Sequence, residues 1–223
     1  MPVLRRIAAR LPIRWQTELR RLNFSRLIKS DRFVSPEPEF RILDSLIKPG
    51  DWVVDVGANV GHYTKRFSEL VGARGRVIAF EPVPTTFALL SANVQLFKHL
   101  NVTLINAAVS DRLGVIGMSL PRFDWGTTNF YEARISPEQD SSLSVLMMSF
   151  DALCLTQRIA LIKIDAEGHE SFVLAGMQNL VKTSRPVLIV ETSSKEVIAG
   201  LSSLGYTSER LPDSPNLLFR PKT

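Results

Sequence analysis

From residue 52 onward, short apolar runs alternate with stretches that are apolar on one helical face only. Trp52–Val56, Arg76–Phe80 and Val102–Ile105 have the length and composition of strands buried on both faces. Between them the pattern changes period. One helix is predicted from about Gly61 to Leu70, and a second carries Phe87, Leu90, Val94 and Phe97 on one face. The alternation resumes with a strand at 160–164, a helix bearing Val173, Leu174, Met177, Leu180 and Val181, a strand at 187–190 and a helix around 196–204. Two short strands, near Tyr206–Arg210 and 217–220, close the chain. This order predicts an α/β fold with a mainly parallel sheet and helices on both faces. Residues 112–150 break the rhythm. Two apolar runs, 115–120 and 143–148, flank a polar stretch with Trp125-Gly126-Thr127-Thr128-Asn129, which reads as a small β-rich insertion whose loop reaches over the site.

Upstream of residue 36 the pattern is different. Leu4, Ile7, Ala8, Leu11, Trp15, Leu19 and Leu22 share one helical stripe with arginines opposite, and Pro12 is expected to kink or split the helix. The adopted reading packs this stripe on the body and leaves the arginines solvated. The alternative is a helix that lies on an anionic membrane or on a partner protein. Ser35-Pro36-Glu37-Pro38 reads as a linker, and Phe40, Leu43, Leu46 and Ile47 as a short helix stopped by Pro49-Gly50. The predicted organisation is a basic amphipathic extension, 1–35, followed by one domain, 36–223.

Composition changes this picture in two places. At 223 residues, with 45% hydrophobic and 22% charged side chains, the chain suits one globular domain. The net charge of +5, however, is unevenly placed: residues 1–32 carry nine basic side chains against Glu18 and Asp31, a net of +7 that leaves the remainder at −2. A body without basic excess is not expected to bind nucleic acid. The single cysteine, Cys154, has no internal disulfide partner and is read as a small buried residue. No apolar run is long enough to span a bilayer, and arginines interrupt every apolar stretch near the N-terminus. The expectation is therefore a cytoplasmic protein without a signal peptide, with residues 1–32 as its one segment suited to a membrane periphery.

Ligands of open α/β sheets sit beyond the carboxyl ends of the strands. There this chain places Asp55, Gly57, Asn59 and Gly61, then Glu81, then Asn106 and Ala107 with Asp111, then Asp165, Glu167, Gly168, His169 and Glu170, and last Glu191. A first strand that opens into a glycine turn, with an acid at the tip of the second, holds a ribonucleoside cofactor, because Glu81 can accept hydrogen bonds from both ribose hydroxyls. A dinucleotide site wants a third glycine that Gly57-Ala58-Asn59-Val60-Gly61 lacks at the right offset. No Lys or Arg is read as adjoining the strand-end acids, so the crevice suits a cation better than a pyrophosphate. S-adenosylmethionine, with a ribose, no phosphate and a sulfonium, fits those demands. An NAD(P)-dependent oxidoreductase remains the rival enzyme, and a non-catalytic binding module on the same fold the rival outside enzymology.

The sequence 55–64, Glu81-Pro82-Val83-Pro84, Asn106-Ala107-Ala108-Val109-Ser110-Asp111, Lys163-Ile164-Asp165-Ala166-Glu167-Gly168-His169-Glu170, Val173-Leu174-Ala175-Gly176 and Pro186-Val187-Leu188-Ile189-Val190-Glu191 together resemble successive motifs of the FkbM-type methyltransferases. The resemblance covers roughly residues 40–220 and leaves residues 1–35 outside it. It implies a Rossmann-like class I S-adenosylmethionine-dependent fold with a mainly parallel seven-stranded sheet, and O-methylation of a sugar, glycan or polyketide-like hydroxyl. It also implies that Asp55, Gly57, Asn59 and Gly61 border the methionine moiety, Glu81 the ribose, Asn106 and Ala107 the adenine, and Asp165 the sulfonium and the acceptor. A hydroxyl acceptor must lose a proton, and Asp165, Glu167, His169 and Glu191 are the eligible bases, His169 having the most suitable ordinary pKa. Asp165 and Glu191 are also a carboxylate pair able to hold Mg²⁺, though the residues do not require a divalent metal. His62 is read as facing the crevice beside Tyr63.

Overall fold

Strands that are apolar along their whole length need cover on both faces, and this chain provides it. The computed structural model describes residues 12–120, 134–135, 141 and 143–222. The strands are β1 (Trp52–Val56), β2 (Arg76–Phe80), β3 (Val102–Ile105), β4 (Ala108–Val109), β5 (Gly114–Ser119), β6 (Arg134–Ile135), β7 (Leu143–Met148), β8 (Ile159–Ile164), β9 (Val187–Glu191), β10 (Tyr206–Arg210) and β11 (Asn216–Pro221). The helices are α1 (Ile13–Lys29), α2 (Leu43–Leu46), α3 (His62–Val71), α4 (Pro84–Val94), α5 (Glu170–Ala175), α6 (Gln178–Ser184) and α7 (Lys195–Ser203).

Seven strands form the main sheet in the order β10-β11-β9-β8-β1-β2-β3. All neighbours are parallel except β11, which runs antiparallel to both β9 and β10. The chain leaves β1 towards β3 and returns on the other side of β1 as β8. That reversal opens a crevice at the carboxyl ends of β1, β2 and β8. Side chains alternate between the two faces. Val54, Val56, Phe80, Ile162 and Ile164 pack with Val173 of α5, Leu180 of α6 and Val197 of α7. Val53, Val77, Leu161 and Ile189 pack with Tyr63, Phe67 and Val71 of α3.

The expected β-rich insertion is a second sheet, ordered β4-β7-β5-β6, built on the antiparallel β5–β7 pair. It recruits β4, which precedes the insertion and pairs parallel with β7. The stretch from Trp125 to Asn129 lies outside the described residues.

Three expectations are corrected. The helix predicted across Val173 to Val181 is two helices that break at Gly176, where the backbone meets residue 110 so closely that a Cβ would lie 1.7 Å from the Ser110 carbonyl oxygen. Asp151 then restarts the helix, its carboxylate accepting from the N–H groups of Asn179 and Leu180 at 2.9 and 3.0 Å. Cys154 is exposed, not buried, in a left-handed conformation after a 3-10 turn. The third correction concerns α1, which begins after Pro12. Its packed residues are Phe24 and Ile28, joined by Phe33, against Ala58, Val60, Leu90 and Phe97. Trp15, Leu19 and Leu22 face away and are exposed. Two apolar stripes compete for the body and the aromatic one wins, because Phe24 and Phe33 meet edge to face at 5.6 Å and Phe33 stacks on His62 at 4.1 Å. Leu4, Ile7, Ala8 and Leu11 lie outside the described residues.

The segment from 33 to 39 is likewise bound to the body. Glu39, fully buried, accepts from Ser214 Oγ at 2.7 Å and from Asn216 Nδ2, which joins the N-terminal segment to β11. Truncating the buried ring that joins α1 to α3, Phe33→Ala, is expected to cost about 3–5 kcal/mol. Urea unfolding monitored by circular dichroism reads that loss, and an unchanged midpoint contradicts the packing.

Candidate active site

The floor of the crevice is the turn from β1 into α3. The N–H groups of Gly57 and Ala58 both donate to the Phe80 carbonyl, at 3.1 and 2.9 Å, which folds the turn back over β2. Gly57 adopts φ +78°, and a Cβ there would lie 2.0 Å from the Asp165 carbonyl oxygen, so only glycine lets the first turn touch the end of β8. Gly61 has a different duty: a Cβ on it would meet Leu90 of α4 at 2.7 Å.

Glu81 joins the two motifs separated in sequence. One carboxylate oxygen accepts the Asn59 N–H and the other the Val83 N–H, each at 2.9 Å. Burial pushes its carboxyl up to about 7, although the Val83 and Asn59 N–H groups pull the other way. Asn106 supports this corner from outside, with Nδ2 donating to the Glu81 and Pro82 carbonyls at 2.8 and 3.0 Å.

A cleft opens here, bordered by Gly57, Asn59, Glu81, Ala107, Asp165 and His169 and roofed by Met118 and Ile135 of the small sheet. Its concave, partly apolar lining with a few convergent polar groups suits a small-molecule cofactor or substrate. Its described lining holds no Lys or Arg. The Asn59 Oδ1 is buried without a hydrogen-bond partner among the described residues. A ligand with hydroxyl or ammonium donors and no phosphate fits that lining. S-adenosylmethionine has those groups, and Glu81 and Asn59 are residues that could hold them.

Beside the cleft lies a cation that the reading of strand-end acids overlooked. Lys163, 2% exposed, places its ammonium 2.9 Å from Asp165 Oδ2. The two are i and i+2 along β8 and its end, hence on one face. Register pairs Lys163 with Asp55 on β1. The ammonium also sits 4.6 Å from the centre of the Tyr63 ring, whose hydroxyl donates to Glu37 at 2.5 Å. Burial alone pushes the Lys163 ammonium down, but Asp165, then Asp55, outweigh it and hold it above the ordinary range. Asp55 is fully buried; it accepts from Thr64 Oγ1 at 2.6 Å and keeps Oδ1 without a partner among the described residues. Burial pushes its carboxyl up to about 6. Glu191, at the end of β9, is pushed up to about 7 by burial and then by Asp165. Glu37, assigned to a linker by sequence, bears on Asp55, Lys163 and Glu191 alike.

The structure thus gathers Gly57, Asn59, Glu81, Ala107, Asp165, Glu167 and His169 on the cleft. Asp55 and Glu191 stand behind Asp165 in the charge cluster, and Gly61 and Asn106 support the turns. His169 Nε2 lies 3.0 Å from Ser110 Oγ and its ring stacks on Phe172 at 4.6 Å, with burial holding its pKa down. His62 does not face the crevice: it stacks on Phe33 beneath α1, and burial pushes it down to about 4. Lys163 and Glu37 are the site residues that sequence reading missed. The i, i+2 spacing of Lys163 and Asp165 was a signal for the first; nothing local marked the second.

Residues 55–207, well over half of the chain, match the family model described as the methyltransferase FkbM domain. The chain is 28% identical over 187 residues to the 2-O-methyltransferase NoeI of Sinorhizobium fredii, covering 77% of this chain and 75% of that one. It is 27% identical over 152 residues to the hexuronic acid methyltransferase AglP of Haloferax volcanii, covering 67% of this chain and 59% of that one. Among solved structures, a methyltransferase FkbM from Methylobacillus flagellatus KT superposes with a TM-score of 0.56 at 14% identity, over 82% of this chain and 50% of that one. That likeness shows the Rossmann-like fold, and this chain spans about half of that protein's length.

Two acids with raised pKa values make the protein's stability pH-sensitive in a definite direction. Glu81 and Glu191 have folded pKa values near 7 against an ordinary 4.5. Below 4.5 both states hold these protons; from there to about 7 the unfolded chain releases them first, so stability falls as pH rises through that window. Urea titrations across it are expected to show the decline, with a shallower slope in Glu81→Gln. An identical slope in the variant removes Glu81 as a source.

Proposed function

The chain belongs to the FkbM methyltransferase domain family, and on that premise we propose that it transfers a methyl group from S-adenosylmethionine to a hydroxyl of a sugar or related small molecule. The observation that carries this reading is the joining of Glu81 to the Asn59 turn on the floor of a cleft whose other wall is Asp165. The names of NoeI and AglP, an O-methyltransferase and a hexuronic acid methyltransferase, support the acceptor class. S-adenosylmethionine supplies an electrophilic methyl carbon on a positively charged sulfur.

The roles of the chain's own residues follow from their environments. Glu81 accepts hydrogen bonds from the ribose hydroxyls with the lone pairs that the two N–H donors leave free. Asn59 offers its unpartnered Oδ1 to a donor of the cofactor. Ala107 borders the base with a side chain too small to block it. Asp165 accepts a hydrogen bond from the acceptor hydroxyl and orients its oxygen towards the methyl carbon, which is where positioning contributes most. Lys163 fixes the direction of Asp165 through the ion pair at 2.9 Å. Glu191 stands behind Asp165, pushed up to about 7 by burial and then by Asp165, so the hydroxyl proton would reach it by way of Asp165. His169, drawn to Ser110 and Phe172, holds the cleft wall together. The Lys163 ammonium supplies the positive charge that Mg²⁺ would bring to Asp165 and Glu191, so the reaction is proposed to run without a divalent metal.

Glu191→Gln is expected to lower kcat by roughly 10²–10⁴-fold and to flatten the acidic limb of the pH–rate profile. Unchanged turnover places the proton elsewhere, with His169→Asn the comparison that identifies it. Glu81→Ala is expected to weaken S-adenosylhomocysteine binding by about 1–3 kcal/mol in calorimetry. Turnover of a sugar-hydroxyl panel, followed by S-adenosylhomocysteine release, is expected to be the same with and without EDTA. Stabilisation by NAD(P) and not by S-adenosylhomocysteine overturns the cofactor.

A further inference from the structure

α1 has two apolar faces and the body uses one of them. Phe24 and Ile28 are each 7% exposed, whereas Trp15, Leu19 and Leu22 are 55%, 47% and 63% exposed. Steps of four and three residues put these three in one line, roughly opposite Phe24 and Ile28. Arg26 and Lys29, both exposed, continue that line, and exposed Arg14 and Arg21 run along its side. The facing acid is Glu18, 3.9 Å from Arg21, with Asp31 beyond the helix held by Lys65 at 2.8 Å. The sequence before Pro12 adds Arg5, Arg6 and Arg10 and no acid.

We propose that this face of α1 docks on an anionic membrane surface. A line of one Trp and two Leu on a convex helix needs a medium that closes around it, which the headgroup–acyl boundary does. The cations beside it need negative charge at the same depth, which anionic headgroups provide. A nucleic acid answers the cations and leaves the Trp–Leu line in water. The opposite face of α1 reaches the site: Thr17 and Arg20 border a small pocket with Asn59, Val60 and Leu89, and Asn59 also lines the cleft. Docking therefore brings the cleft floor within about one helix diameter, ~10 Å, of the lipid. The inference does not depend on the proposed reaction.

The test uses the full chain and vesicles of phosphatidylcholine alone or doped with phosphatidylglycerol. Wild type is expected to sediment with the anionic vesicles at low salt and to stay in solution with the neutral ones. The variant Trp15→Ser/Leu19→Ser/Leu22→Ser is expected to lose sedimentation while keeping the wild-type urea midpoint. Arg26→Gln and Lys29→Gln are each expected to weaken binding about fivefold. Trp15 emission is expected to shift to the blue with anionic vesicles, read as the difference from Trp15→Phe. The proposal is overturned by no vesicle binding, by equal binding to neutral vesicles, or by a triple variant that binds like wild type. It is equally overturned by an RNA that binds while vesicles do not, or by a wild-type dimer that the triple variant makes monomeric.

Discussion

An ammonium group closed off from water at the centre of a parallel sheet has to be surrounded by negative charge, and Lys163 organises this protein's site around that need. Leaving one such ion unpaired costs several kcal/mol after relaxation. The β1–β8 register supplies Asp55, the end of β8 supplies Asp165, and the segment before β1 supplies Glu37 through Tyr63. Three distant stretches of chain are thereby held to one point. The same closeness appears in the backbone, where Gly57 touches the Asp165 carbonyl and leaves no room for a side chain.

The rest of the site is arranged about that point by topology. Where the strand order reverses, the turns after β1, β2 and β8 face one crevice, so residues about a hundred positions apart share a cleft. Glu81 ties the first turn to the second and Asp165 ties the cleft to the buried cation. The small sheet closes the top with Met118 and Ile135, an apolar cover that raises the strength of every charge beneath it. An acid at an ordinary strand end would be solvated and unremarkable; under this cover burial pushes Glu81 up to about 7.

Much of this was legible beforehand. β1, β2 and β3 have the bounds that their apolar runs predict, because turn-forming residues bracket them: Gly50-Asp51 and Gly57, Gly75 and Pro82, Asn101 and Asn106. The glycine turn and the paired Glu81 stood out for the same local reason. The break at Gly176 was not legible, since its cause is Ser110, far away in sequence. Nor was the exposure of Cys154, or the choice between the two apolar stripes of α1. A helical wheel displays both stripes, but Phe33 and His62 decide between them, and neither belongs to the helix.

Sequence alone determined the α/β alternation, the glycine turn after β1, the family resemblance and the acids at the strand tips, all of which rest on periodicity and turn chemistry within a few residues. Tertiary structure decided which acids meet Lys163, which face of α1 is left to solvent, and that Glu37 belongs to the site. Those outcomes depend on register and packing between segments remote in sequence. A buried charge, unlike a turn, is defined by partners that the local sequence does not contain.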